Sequence, residues 1–185
     1  VHPDPEPRWG TVAITLHWTM AGLILALFVL GWTAESWHLS PTKLKLFQWH
    51  KSLGLLVLTL VWIRLAWRWT HTVPPIPAGT RPWEARVAIA VHRGLYVLMV
   101  AMPLSGWLIN SAANIPFKVF GWFRLPDLVE PDKALKAAAQ VIHLSLFWTL
   151  AAILALHILG ALRHHFVRHD GVLSRMLPNT GRRRE

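Results

Sequence analysis

Three stretches of the chain, 11–34, 94–117 and 137–162, contain no Asp, Glu, Lys or Arg. Each supplies the about 20 apolar residues that a helix needs to cross a bilayer. A fourth stretch, 44–67, is strongly apolar but carries Lys45, Lys51 and Arg64. Its uncharged centre, 52–63, is too short to cross alone. It still reads as a span, because long basic side chains near a helix end snorkel to the interface. The pattern predicts an all-α protein: a transmembrane four-helix bundle, one domain over 1–185, with spans near 11–34, 44–68, 86–110 and 137–163. The first run exceeds the about 7–15 apolar residues of a signal peptide, and no small-residue cleavage site follows it, so it is expected to persist as a helix.

The connections fit a compact bundle. Residues 36–43 form a short loop, and 70–82 hold Pro74, Pro75, Pro77 and Pro82. Pro82 is expected to start the third helix, where a missing N–H costs little. Pro103 is expected to kink that helix. The longest connection, 115–136, contains Phe117, Val119, Phe120, Trp122 and Phe123 and is expected to lie on the membrane surface.

Composition sharpens this picture. Of 185 residues, 54% are hydrophobic and 15% charged; a soluble domain has about 25% charged residues. The chain has no cysteine. That excludes disulfides, zinc–thiolate sites, cysteine-ligated iron–sulfur clusters and covalent c-type haem attachment. The 11 histidines must then carry any metal ligation. The formal charge is +10, and 12 of the 19 Lys and Arg residues fall on the side of the bundle that holds both termini. The positive-inside rule places the termini in the cytoplasm. Arg182, Arg183 and Arg184 in the tail fit anionic lipid, and no nucleic-acid-binding motif accompanies them.

Five histidines, His17, His50, His92, His143 and His157, fall within the spans. Ionisable residues in a bilayer are costly and usually face the bundle interior. His143 and His157 lie fourteen residues apart. On a helix that is about 40° short of four turns and a rise of about 21 Å, so both rings share a face at two depths. His50 falls at the depth of His143; His17 and His92 both fall at the depth of His157. The same fourteen-residue step leads from His17 to Gly31, from His92 to Gly106 and from His50 to Arg64. Glycine there permits close approach of a flat group. An arginine at the inner depth suits a carboxylate. Facing imidazoles at two depths suit two bis-histidine haems stacked across the bilayer. Interhelical hydrogen bonding or a proton relay without haem is the competing reading.

At these residues the chain resembles the bacterial cytochrome b561 family of small four-helix, di-haem membrane cytochromes. The matching stretches are Leu16, His17 and Trp18; His50, Lys51, Ser52, Leu53 and Gly54; and Arg64 through Arg68. His92 with Arg93 and Gly94, Pro103 with Ser105, Gly106 and Trp107, and the fourth span with His143 and His157 complete the match. The resemblance implies two haem b groups, the inner held by His17 and His157 and the outer by His50 and His143. It implies propionate contacts at Arg64 and Arg68, and a propionate or quinone contact at His92. His164 and His165, just after the fourth span, are candidates for a quinone head group. The implied setting is the bacterial inner membrane, with ubiquinone as exchange partner and superoxide as a possible donor substrate at the outer face. The alternative is an anchor subunit that relays electrons for a redox partner such as a dehydrogenase or hydrogenase.

Overall fold

The computed structural model describes residues 8–77 and 79–178. Four helices dominate it: α1 (Thr11–Ser36), α2 (Pro41–Thr70), α3 (Pro82–Ala112) and α4 (Lys133–Arg163). All four are long and apolar enough to cross a membrane, the least apolar, α2, included. Several helices run past their apolar stretches, because caps set the ends. Ser40 accepts from the Lys43 N–H ahead of α2, and Pro41 occupies the first turn. The Asp132 carboxylate accepts from the N–H groups of Ala134 and Leu135. Pro82 opens α3 as expected, and the Glu84 carboxylate takes the Arg81 N–H. α3 continues through Pro103 to Ala112.

The helices pack as two helical hairpins, α1 with α2 and α3 with α4, joined mainly through α2 and α3; the α1 and α4 backbones scarcely approach. A small apolar cluster of Met20, Val57, Val61 and Met99 binds the bundle at mid-height. The outward faces carry large exposed apolar side chains, including Leu25, Val29, Val97, Val141 and Leu156. Such continuous apolar surface would be costly in water and is the natural contact for lipid.

The two ends differ. At one end, which we call the hairpin end, residues 117–125 fold back on themselves. β1 (Lys118–Val119) pairs antiparallel with β2 (Phe123–Arg124). The turn needs left-handed backbone at Phe120 and Gly121, which the glycine supplies without strain. Phe117 and Val119 are buried against the bundle, whereas Trp122 is 83% exposed. The Gln48 amide donates to the Lys118 carbonyl, and Ser52 accepts from the Phe120 N–H. These polar tethers, absent from any hydropathy pattern, tie the turn to α2.

At the other end, the tail end, α4 passes into a π-helical turn, His164–Arg168, that stops at His169 in the left-handed region. The chain then crosses under the bundle. Arg8 donates to the carbonyls of Ser174 and Leu177, Trp18 to that of Met176, and Arg175 to that of Pro75. Arg182, Arg183 and Arg184 lie outside the described residues.

Candidate functional site: histidine pairs across the bundle

The five span histidines gather at two heights. At the hairpin end the rings of His50 and His143 lie 6.5 Å apart, centre to centre. At the tail end His17 lies 6.1 Å from His157, and His92 lies 5.1 Å from the same ring. Two imidazoles on opposite faces of one metal ion, each bonded at about 2 Å, have ring centres about 6 Å apart. The separations of 6.1 and 6.5 Å fit that spacing; 5.1 Å is tight for it. The topology adds a second distinction. His50–His143 and His17–His157 each join one helical hairpin to the other, whereas His92 and His157 belong to the same one.

The hairpin-end pair sits among glycines. A Cβ on Gly31 would stand 2.9 Å from His50 Cε1, and one on Gly106 would stand 3.4 Å from His143 Cε1. The room these glycines leave is used by the imidazoles themselves. Ser105, buried on α3, bonds His143 Nδ1 at 2.8 Å. Nδ1 of His50 is buried without a hydrogen-bond partner among the described residues. A buried, unsatisfied ring nitrogen is expensive unless some group repays it. A metal-ligating histidine ordinarily donates its other ring N–H to an acceptor, the part that Ser105 fills for His143. Lys51, next in sequence, turns aside: its ammonium donates to Asn110 Oδ1 at 2.9 Å and lies over the Phe117 ring.

The tail-end group is charged. Arg64 donates from Nε to the Tyr96 hydroxyl and from Nη1 to His17 Nδ1, both at 3.1 Å. Arginine only donates, so Nδ1 accepts and the proton of a neutral ring sits on Nε2. A metal bound at Nε2 requires that proton to move to Nδ1, which displaces Arg64. Beside it lies a cavity of ≈ 180 Å³ lined by Arg8, Trp9, Arg64, Arg68, His71 and Tyr96. Arg68 stacks over Trp9. The cavity thus offers a displaced Arg64 a place to meet an anion. The residues present fit haem b: facing imidazoles at both levels, close-packed glycines at the hairpin end and cationic side chains for carboxylates at the tail end.

His164, the sequence candidate for a quinone contact, lies outside both groups. Its Nδ1 is bonded to Asp170 at 2.5 Å. His165 packs edge-on against Phe166 instead. The sequence reading passed over three residues. Asp170 gives no signal before the fold joins it to His164, and Ser105, though within a matched stretch, shows its part only beside His143. Glu84 does give a signal: it is the only acidic residue between Glu35 and Asp127. It is buried and meets Arg163 at 3.0 Å and Arg168 at 3.5 Å, tying the start of α3 to the end of α4.

Comparison with known proteins agrees with this architecture. The profile of the family described as Prokaryotic cytochrome b561 matches residues 8–179. The chain belongs to that family, a class of haem b electron-transfer membrane proteins. It is 34% identical over 180 residues to "Cytochrome b561 homolog 2" of Escherichia coli (strain K12), covering 94% of this chain and 92% of the relative. It is 27% identical over 176 residues to "Probable superoxide oxidase CybB" of Yersinia pestis, covering 92% of this chain and 96% of the relative. "Cytochrome b562" of Cereibacter sphaeroides is 28% identical over 178 residues, covering 93% and 96%.

Proposed function

We propose that this membrane cytochrome carries two b haems, one between His17 and His157 and one between His50 and His143, and passes electrons from superoxide to ubiquinone. The observation that supports the reading best is the two imidazole pairs, 6.1 and 6.5 Å apart, each bridging the two helical hairpins. Haem held between such rings would supply an iron that takes up and releases one electron. The chain's own residues do the rest. The histidines clamp two helical hairpins that otherwise share little core. Gly31 and Gly106 keep the His50 and His143 rings tight against their helices. Arg64, released from His17, and Arg68 pair with propionate carboxylates at the tail end. His92 stands beside that level as a propionate or quinone contact, and His164 as a contact for the quinone head group.

In this reading the tail end faces the cytoplasm of a bacterial inner membrane, since 12 of the 19 Lys and Arg residues lie on that side. Lys43, Lys45, Lys118 and Arg124 at the hairpin end would raise the local concentration of an anion such as superoxide. The chemistry balances as two superoxide and one ubiquinone, with two protons, giving two dioxygen and one ubiquinol. The purified protein should yield two non-covalent haem b per chain. Superoxide should reduce its haem spectrum, and a short-chain ubiquinone should reoxidise it. Colourless protein would end the cytochrome reading, and a spectrum indifferent to superoxide would end that donor assignment. A stoichiometric redox protein co-purifying with the chain would shift the function to an anchor subunit.

A further inference from the structure

The two histidine levels differ in which ring nitrogen carries the lone pair. At the hairpin end the Ser105 hydroxyl donates to the Met102 carbonyl at 2.8 Å. A hydroxyl has one proton to give. The 2.8 Å bond between Ser105 Oγ and His143 Nδ1 is therefore donated by the ring. In a neutral His143 this leaves the lone pair on Nε2, ready for a metal. No cation holds the pair, because the Lys51 ammonium is bonded to Asn110.

The tail end is set the other way. Arg64 donates to His17 Nδ1 and to the Tyr96 hydroxyl, both at 3.1 Å, and its guanidinium lies 5.9 Å from the centre of the Tyr96 ring. Neither nitrogen of His17 is then open. Ligation at Nε2 moves the ring proton to Nδ1 and expels Arg64; ligation at Nδ1 takes the lone pair that Arg64 uses. The first exchange shifts a proton within one ring and changes no net charge. Arg64 has a place to go, the ≈ 180 Å³ cavity lined also by Trp9, Arg68 and His71. A carboxylate arriving there draws a guanidinium away from a neutral imidazole, because the charge-assisted pair is the stronger one. Haem b carries two such carboxylates.

Resting on the two-haem reading above, we propose that the haems load in order, hairpin end first, and that Arg64 is a latch on the tail-end site which a haem propionate opens. Ser105 and Met102 preset His143, so the hairpin-end site needs no exchange of hydrogen bonds. The tail-end site yields only to a ligand that brings its own carboxylate. It therefore fills second, and it selects haem over a porphyrin whose carboxylates are masked.

The test supplies haem, or haem dimethyl ester, to the full chain in membranes of a haem-deficient host, as wild type, R64L and R64K. The single-level variants H50A and H17A show which absorbance change belongs to which level. Wild type should take up haem in two phases, the tail-end phase slower by about tenfold or more, as expected for breaking a hydrogen bond from a charged donor. It should take only one ester per chain, at the hairpin end. R64L should merge the two phases and take two esters; R64K, which keeps a cationic donor, should retain part of the delay. If Arg64 were only a propionate contact, R64L would weaken haem binding and gain no ester. That result, simultaneous loading, or tail-end loading first would overturn the proposal. A second measurement avoids loading from outside: wild type purified from haem-starved cells should carry the hairpin-end haem alone, and equal occupancy of both levels would overturn the proposal as well. A chain that takes up no haem under any of these conditions would instead remove the two-haem reading, and this inference with it.

Discussion

The hairpin-end and tail-end histidine groups are built on one ruler and tuned in opposite ways. Both stand on the fourteen-residue step of α4, and both join the two helical hairpins. At the hairpin end the rings are wedged against backbone: Gly31 and Gly106 leave space that a methyl group would fill. The neighbouring cation, Lys51, is turned toward Asn110. At the tail end steric pressure is replaced by charge, with Arg64 bonded directly to His17 and a third imidazole, His92, against His157. Shape therefore controls one level and electrostatics the other.

Removing a ligand tests that contrast most severely. Either H50A or H143A should leave one haem per chain, and H17A or H157A should remove the other, read by haem extraction and the split of the α-band. H92A should keep both. Loss of haem in H92A with retention in H17A would reverse the tail-end pairing. Extracting both haems should loosen the two helical hairpins from each other. Hydrogen exchange should then rise along α1 and α4, where the backbones scarcely meet, more than between α3 and α4.

The steric contrast comes next. G31A places a carbon 2.9 Å from His50 Cε1 and should lower hairpin-end haem occupancy markedly, while G106A, at 3.4 Å, should be nearly silent. Equal effects of the two would refute control by shape. The electrostatic contrast is smaller. R64M removes a positive charge beside His17, so the ferric state gains and the tail-end potential should fall by about 50 mV, roughly a tenfold change for one electron. The hairpin-end potential should stay put; a matching fall at both levels would show a long-range field instead. The smallest effect belongs to S105A. Losing its 2.8 Å bond to His143 should cost about 1 kcal/mol and leave haem in place.

Much of this arrangement is readable along the chain. Hydropathy finds four spans because a bilayer requires long uncharged runs, and this constraint acts on each helix by itself. The fourteen-residue interval from His143 to His157 fixes two depths because helical rise and rotation are local properties. Even Glu84, isolated among apolar and basic residues, stands out as a buried ion requiring a partner. The sequence arithmetic also found Gly31 and Gly106, and the structure sets the His50 and His143 rings against them.

Other features exist only once helices meet. Depth alone left His17 and His92 equal; their separation from His157 and their membership of different helical hairpins distinguish them. The fold of 117–125 into β1 and β2 depends on Gln48 and Ser52 reaching over from α2. Asp170 meets His164 only because a π-helical turn and a left-handed His169 bring its carboxylate back. The sequence by itself determined a membrane bundle with histidines at two heights, through lipid solvation and helical period. Which rings face each other, and which polar groups orient them, was decided by tertiary packing, because hydrogen bonds and ring distances are properties of pairs brought together from distant parts of the chain.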